Sequence, residues 1–311
     1  MVAIGNFDGV HKGHQEIFVA AVKKAKTLDA KAWVITFREH PQHVLHAQKK
    51  PLLLTSFEQR LALFEEFGIT GVFLLDFTES FSKTPPREFV KQILVDQLAV
   101  KGVCMGFNAR FGANRSGDVG TMKEYSVEYG FHFLQAGPVQ VDGCAVSSSA
   151  IRELIWQGNF LQAQKYLGRE FAVYGVVVRG NGVGTKLGFP TANLELRSEV
   201  LPPKGVYLVR VNLIAGEEKS ITSAGYEYNR TVVESNLVGV LNYGTRPTVS
   251  GSSQAMCAEV HLIGWNGDLY GKTLEVRFIR QLREEKRFAD TQALSHQIKE
   301  DIKQAMDLIH K

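Results

Sequence analysis

Gly5-Asn6-Phe7-Asp8-Gly9-Val10-His11-Lys12-Gly13-His14 separates a short apolar segment, Val2 to Ile4, from a run in which Ile17, Phe18, Ala21, Val22 and Ala25 share one helical face. The reading is strand, glycine-rich turn, helix N-terminus. Such a junction aims backbone N–H groups and the positive end of a helix dipole at one spot, which makes phosphate the natural guest. His11 and His14 stand beside that spot and can donate to phosphate oxygens. Gly5, Phe7, Asp8 and Gly13 complete the candidate phosphate turn, although Asp8 would equally brace the loop through a backbone hydrogen bond.

The pattern downstream repeats the alternation. Strands are expected at Ala32 to Phe37, Val72 to Leu75, Gly102 to Met105 and Phe131 to Leu134. Helices are expected between them: one opened by the capping box Ser56-Phe57-Glu58-Gln59, one opened by Thr84-Pro85-Pro86 and reaching about Leu98, and one from Thr121 to Tyr129. Strands alternating with helices predict a Rossmann-like α/β parallel sheet with ligands at the C-terminal ends of the strands. Two further loops lie on that edge. Gly106 to Asp118 is rich in Gly, Asn and Arg, as either a solvated loop or a binding loop, and Ser147-Ser148-Ser149 with Arg152 reads as a plain N-cap or an anion site.

From Phe171 the pattern changes to short strands punctuated by Gly and Pro, with no helix between them, which predicts an antiparallel β-barrel closed by a C-terminal helix over about Asp290 to Ile309. The domain boundary therefore falls near residue 168, giving 1–168 and 169–311. Gly180 to Asn193 lies between the first two of these strands. Its glycines, Gly180, Gly182 and Gly184, followed by Lys186, resemble a phosphate loop only superficially, since no helix pattern follows. A hairpin loop is the alternative, but Thr191 and Asn193 put two hard oxygen donors on one side of an extended segment.

Composition excludes several classes. The 311 residues suffice for two cores, and 44% hydrophobic with 22% charged residues describes an ordinary globular protein. No apolar run reaches membrane-span length and no signal peptide opens the chain, so a cytoplasmic location is expected. Cys104, Cys144 and Cys257 are far apart and suggest neither disulfides nor a zinc knuckle. His40, His43 and His46 mimic a metal site, but Pro41 disfavours a regular helix there and no Cys or carboxylate cluster completes a ligand set. The net charge of +4 is scattered, which argues against nucleic acid and for small anionic ligands.

With these residues in view, the first half resembles the adenylyltransferase module of the bacterial bifunctional riboflavin kinase/FAD synthetases. Ile4 to His14, His40 to Leu45, Leu54 to Phe57, Phe111 to Asp118 and Ser147 to Arg152 match in order. The second half resembles the riboflavin kinase module through Phe189-Pro190-Thr191-Ala192-Asn193, Gly205-Val206-Tyr207, Gly239 to Thr248, Glu259 to Leu262, Asn266 to Gly271 and Leu282 to Phe288. The resemblance implies conversion of riboflavin to FMN and of FMN to FAD, with ATP as co-substrate and Mg²⁺ at both sites. His11, His14 and Arg152 would neutralise charge at the α-phosphorus, where FMN's ionised phosphate needs no base. A ribityl hydroxyl does need one, and Glu259 is implied in that role, the alternative being a solvent-facing strand carboxylate. Asn108, Arg115, Asp118 and Arg283 are implied at the flavin, and Thr191 and Asn193 at the metal.

Departures exist at Glu39, Ala109, Arg179 and Lys186, where Pro, an aromatic, His and Arg are frequent. Relatives also carry a short segment ahead of the first strand, which implies a late start or a trimmed member. Loss of one of the two activities and an RNA-binding regulator are the rival readings. The expected partners are small-molecule substrates, without nucleic acid or membrane, for a monomer or weak oligomer.

Overall fold

The structure, a computed structural model, describes residues 1–38, 51–180, 182–222, 225–246 and 255–310. Two compact units divide the chain: Met1–Ser148 with Glu218–Tyr228, and Ser149–Glu217 with Asn229–Lys311.

The first unit carries β1 (Val2–Ile4), α1 (Lys12–Thr27), β2 (Trp33–Phe37), α2 (Phe57–Glu66), β3 (Gly71–Leu75), the short α3 (Glu79–Ser82) and α4 (Pro86–Glu88), a π-helix (Phe89–Gln97), β4 (Gly102–Gly106), α5 (Val119–Tyr129) and β5 (His132–Ala136). The sheet order is β3-β2-β1-β4-β5 and every neighbouring pair is parallel. Alternation along each strand splits the core in two. Ala3, Val34 and Cys104 face α1 and α2, packing on Phe18, Leu61 and Phe64. Val2, Ile35, Val103 and Met105 face the other way, onto Phe89, Leu94 and Met122 of the π-helix and α5. The strand order reverses between β1 and β4, and ligands of open α/β sheets bind at that switch point. The turn from Gly5 to His11 sits there.

Two elements differ from expectation. The helix expected through Leu98 is π-helical over Phe89–Gln97, with the Leu98 N–H bonded to the Ile93 carbonyl. Such a stretch is rare and has no hydrophobic signature of its own. A small hairpin, β6 (Gln140–Val141) and β7 (Cys144–Ala145), leads into α6 (Ser148–Trp156).

The second unit is a closed six-stranded barrel, β10-β11-β12-β9-β8-β13. Its elements are α7 (Phe160–Leu167), β8 (Phe171–Val178), α8 (Val183–Lys186), β9 (Ala192–Leu196), β10 (Gly205–Thr222), β11 (Gly225–Arg246), β12 (Ala255–Leu262), β13 (Thr273–Arg283) and α9 (Thr291–Ile309). One helical turn, α8, stands in the glycine loop where the sequence suggested none. Phe160 of α7 stacks on Phe278 at 5.3 Å, with Tyr207 edge-on to the same ring, which ties α7 to the barrel. Ala305, Ile302 and Leu308 of α9 pack on Val206, Leu208 and Val240. Arg283 fixes the middle of α9 more sharply: its guanidinium donates to both oxygens of the buried Asp301 at 2.9–3.2 Å.

Candidate active sites

In the first unit the turn after β1 is a strained device held from several sides. Phe7 and Val10 both adopt positive φ, 51° and 41°, a conformation that costs a β-branched residue about 1–3 kcal/mol. Asp8 offsets it. One oxygen of this buried carboxylate accepts from the Leu54 and Thr55 N–H groups at 2.9 and 3.3 Å. The Gly9 N–H donates to Thr55 Oγ1 at 3.0 Å, and Gln15 Nε2 donates to the Val10 carbonyl at 2.8 Å. Asp8 is thus seen as a brace, and Ser148 Oγ adds a bond to its carbonyl at 3.0 Å.

What the brace presents is a pair of imidazoles. His11 occupies the N-cap of α1 without capping it through its side chain, and no acidic residue lies in the first turn to neutralise the dipole. The rings of His11 and His14 stack at 3.6 Å, 19° from parallel, and Phe7 supports His14 edge-on at 5.3 Å. Gly13 makes this possible: a Cβ there would lie 3.2 Å from His11 Cε1 and Nδ1. Gly5 serves Phe7 in the same way, since a Cβ would meet its ring at 2.9 Å.

The loop after β4 leaves Asn108 and Arg115 exposed on the C-terminal edge next to β1. Asp118 is engaged otherwise. Its Oδ1 caps α5 by accepting from the Thr121 N–H at 3.0 Å, and its Oδ2 accepts from Arg110 at 3.0 Å. The Thr121 N–H, first among the causes, holds its carboxyl below the ordinary range. Ser147 and Ser149 are exposed at the start of α6, and Arg152 is buried on that helix, in the second unit. The expected loop 39–46 lies outside the described residues.

In the barrel, register assembles the site. Asn193 of β9 pairs with Glu259 of β12, which pairs in turn with Asn242 of β11. Ala192, Leu194, Ala258 and Val260 are buried, so by alternation the three polar side chains share the outer face. The glycine loop closes over this row. A Cβ on Gly180 would lie 2.0 Å from Asn193 Nδ2, and one on Gly184 would lie 2.9 Å from Thr191 Oγ1 and 2.4 Å from the Phe189 carbonyl. Only glycine permits that approach. Gly182, at φ 67°, has open space around it. The Lys186 side chain, Asn181, Pro247 and Thr248 lie outside the described residues. Arg283 is held by Asp301.

Among the described residues, no group of three His, Cys, Asp or Glu could hold a metal ion, and no helix is long and apolar enough to cross a membrane. Residues 1–150 match the family model described as FAD synthetase, and residues 167–309 match that described as riboflavin kinase. The bifunctional riboflavin kinase/FMN adenylyltransferase of Escherichia coli strain K12 is 35% identical over 97% of this chain and 90% of its own length. The chain belongs to this bifunctional family. The Pseudomonas fluorescens member is 36% identical over 99% of this chain and 92% of its own length. A crystal structure described as a macrolide-efflux protein from Streptococcus pneumoniae shares the fold, with a TM-score of 0.79 and 28% identity over 97% of this chain and 92% of that one. Riboflavin, FMN, FAD and ATP are the family's substrates and products.

The FAD synthetase part holds features the sequence did not announce. Arg60 of α2 is buried, donating to the Asn6 and Phe37 carbonyls at 3.1 Å each and to the Arg38 carbonyl at 2.6 Å. It ties the ends of β1 and β2 where the turn begins. Its position on the apolar stripe of α2 was the available signal. Five phenylalanines, Phe37, Phe77, Phe81, Phe89 and Phe111, run ring to ring at 5.3–6.3 Å along the same sheet edge. Beside them a cavity of about 250 Å³ is lined by Phe73, Phe81, Phe89 and Ile93, with Gln92 and Gln97 as its amides. In the riboflavin kinase part the new feature is the place of Asn242, opposite Glu259.

Proposed function

We propose that the chain makes FAD in two steps on two separate sites: ATP and riboflavin give FMN and ADP in residues 169–311, and FMN and ATP give FAD and pyrophosphate in residues 1–168. The observation that carries the reading is the pairing of Glu259 with Asn193 beneath Gly180. It sets a carboxylate beside a loop fit for phosphates, while the other unit offers imidazoles and, among the described residues, no strand carboxylate in that place.

In the barrel, the backbone of Gly180, Gly182 and Gly184 with Lys186 takes the ATP phosphates. Glu259 accepts the proton of the ribityl hydroxyl as its oxygen attacks the γ-phosphorus. Thr191 Oγ1 and Asn193 Oδ1 are hard oxygen donors on the face that also carries Glu259, a donor set that suits Mg²⁺. Bound there, Mg²⁺ would supply charge neutralisation on the phosphates.

In the α/β unit, FMN's phosphate is already ionised, so His11 and His14 with the N-terminus of α1 need only orient and neutralise. Gly5, Phe7, Asp8 and Gly13 shape the turn and Ser147 and Ser148 add hydroxyls. We keep Arg152 as a cation of this step on its place in the Ser147 to Arg152 motif. The flavin-binding residues of this step are those that the family resemblance implies. Asn108 and Arg115 then meet the flavin's polar parts. Asp118 shapes their loop, and Arg283 is kept as a flavin-binding residue of the kinase step on its place in the Leu282 to Phe288 motif. The partners are riboflavin, FMN and ATP, for a cytoplasmic monomer or weak oligomer.

The test is a time course with riboflavin, ATP and Mg²⁺, flavins being resolved by chromatography. FMN followed by FAD is expected. FMN that accumulates without FAD would refute the first-unit assignment, and no turnover would refute both.

A further inference from the structure

The β9–β12 ladder ends at Ala192↔Val260. The residues before it, Phe189 to Thr191, therefore lack that strand's backbone bonds, and Pro190 has no N–H to offer. Yet this is the segment that delivers Thr191 and Asn193 to the phosphate loop. A side chain does the holding instead. His261, two residues beyond Glu259 on the same face, has Nδ1 at 2.8 Å from the Pro190 carbonyl and its ring edge-on to Phe189 at 6.0 Å. Since a carbonyl only accepts, Nδ1 carries the proton in this bond. The Phe189 N–H in turn donates to the Gly184 carbonyl at 2.8 Å, which joins the glycine loop to the same segment.

We propose that His261 is a positioning residue of the kinase site: a strut that replaces the missing ladder bond, fixing the Phe189–Thr191 segment and through it the glycine loop against Glu259. His261 does not touch the reacting atoms. The proposal rests on the reading that Thr191 and Asn193 hold the metal–nucleotide, but the strut itself is testable without either ligand.

The experiment compares His261→Ala and His261→Asn in the full chain, because Asn Nδ2 reproduces the position of the imidazole Nδ1–H. Amide hydrogen exchange of peptides spanning residues 182–193 is measured with no metal or nucleotide. Affinity for ADP with Mg²⁺ is then measured by calorimetry, and FMN adenylylation serves as the control. Losing one hydrogen bond to a fixed segment corresponds to about a tenfold change. His261→Ala should exchange about tenfold faster there and bind ADP with Mg²⁺ about tenfold more weakly, with adenylylation unchanged. His261→Asn should recover both to within about threefold. Unchanged exchange in His261→Ala, or an Asn variant no better than Ala, would overturn the strut. If Thr191→Ala and Asn193→Ala leave the Mg²⁺ dependence of ADP binding intact, the metal reading falls while the exchange result still decides the strut.

Discussion

Replacing Gly13 by Ala should separate stability from activity, because two effects of known size pull in opposite directions. Gly13 lies in the first turn of α1, where Ala gains over Gly at most the about 0.5–1 kcal/mol of a helix interior. For a unit of this size that corresponds to a rise of at most about 2 °C in the melting transition. The new Cβ would sit 3.2 Å from Cε1 and Nδ1 of His11, inside the 3.4 Å at which ordinary contact begins. His11 is buried and stacked on His14, so its ring can yield only by sliding a few tenths of an ångström across its partner. A 1 Å misplacement of a catalytic group costs about 100-fold, and a shift of this size about 3- to 10-fold. The assay is FMN adenylylation alongside riboflavin phosphorylation in one preparation, with a thermal melt. The expected variant is as stable as the parent or slightly more so, 3- to 10-fold slower in FAD formation, and unchanged in FMN formation. Unaltered FAD formation would show that the stacked geometry does not matter, and a melt lowered by several degrees would refute the claim that the ring alone absorbs the strain.

Other perturbations follow from single contacts. Asp301→Ala leaves the Arg283 guanidinium without its buried partner and should destabilise the barrel by about 3–5 kcal/mol in urea unfolding. Burial pushes the Cys104 thiol up to about 12, so at pH 8 an alkylating reagent should modify the exposed Cys144 while Cys104 stays intact until the chain unfolds, as read by mass spectrometry. Asp118 has its folded pKa lowered. The unfolded state therefore binds more protons as pH falls, and the stability Asp118 contributes is present above its ordinary value near 3.8 and lost as pH drops through the folded value. Asp118→Asn, which can still cap α5 but carries no charge, should flatten that acid limb by losing at pH 7 the stability that the charged form adds, and should differ little from the parent below the folded value.

Much of the α/β unit was legible because its signals are local. Val2 to Ile4, the turn and the apolar face of α1 are contiguous, and the capping box at Ser56 is present in full. Strand order was not stated by any stretch, and the buried Phe89, Val90 and Leu94 are too few to distinguish a π-helix from an α-helix. In the barrel, Thr191, Asn193 and Glu259 were named through resemblance, but their meeting depends on a register between strands 66 residues apart, which no local pattern encodes. Asn242 and His261 lay inside segments that carried the resemblance, but no role could be read for them for the same reason. Asp118 and Arg283 show the converse. Asp-x-x-Thr at a helix start is a capping signal readable in the chain, and Asp301 is a carboxylate on the packed face of α9, so each residue had a local structural claim on it.

Two independent sites on one chain can be tested by mixing. His14→Ala should turn riboflavin into FMN and stop there, and Glu259→Ala should make FAD from FMN but nothing from riboflavin. Equimolar His14→Ala and Glu259→Ala should then together convert riboflavin to FAD, whereas loss of both activities in either variant, or a mixture that makes no FAD, would contradict the division of the chemistry between the two units.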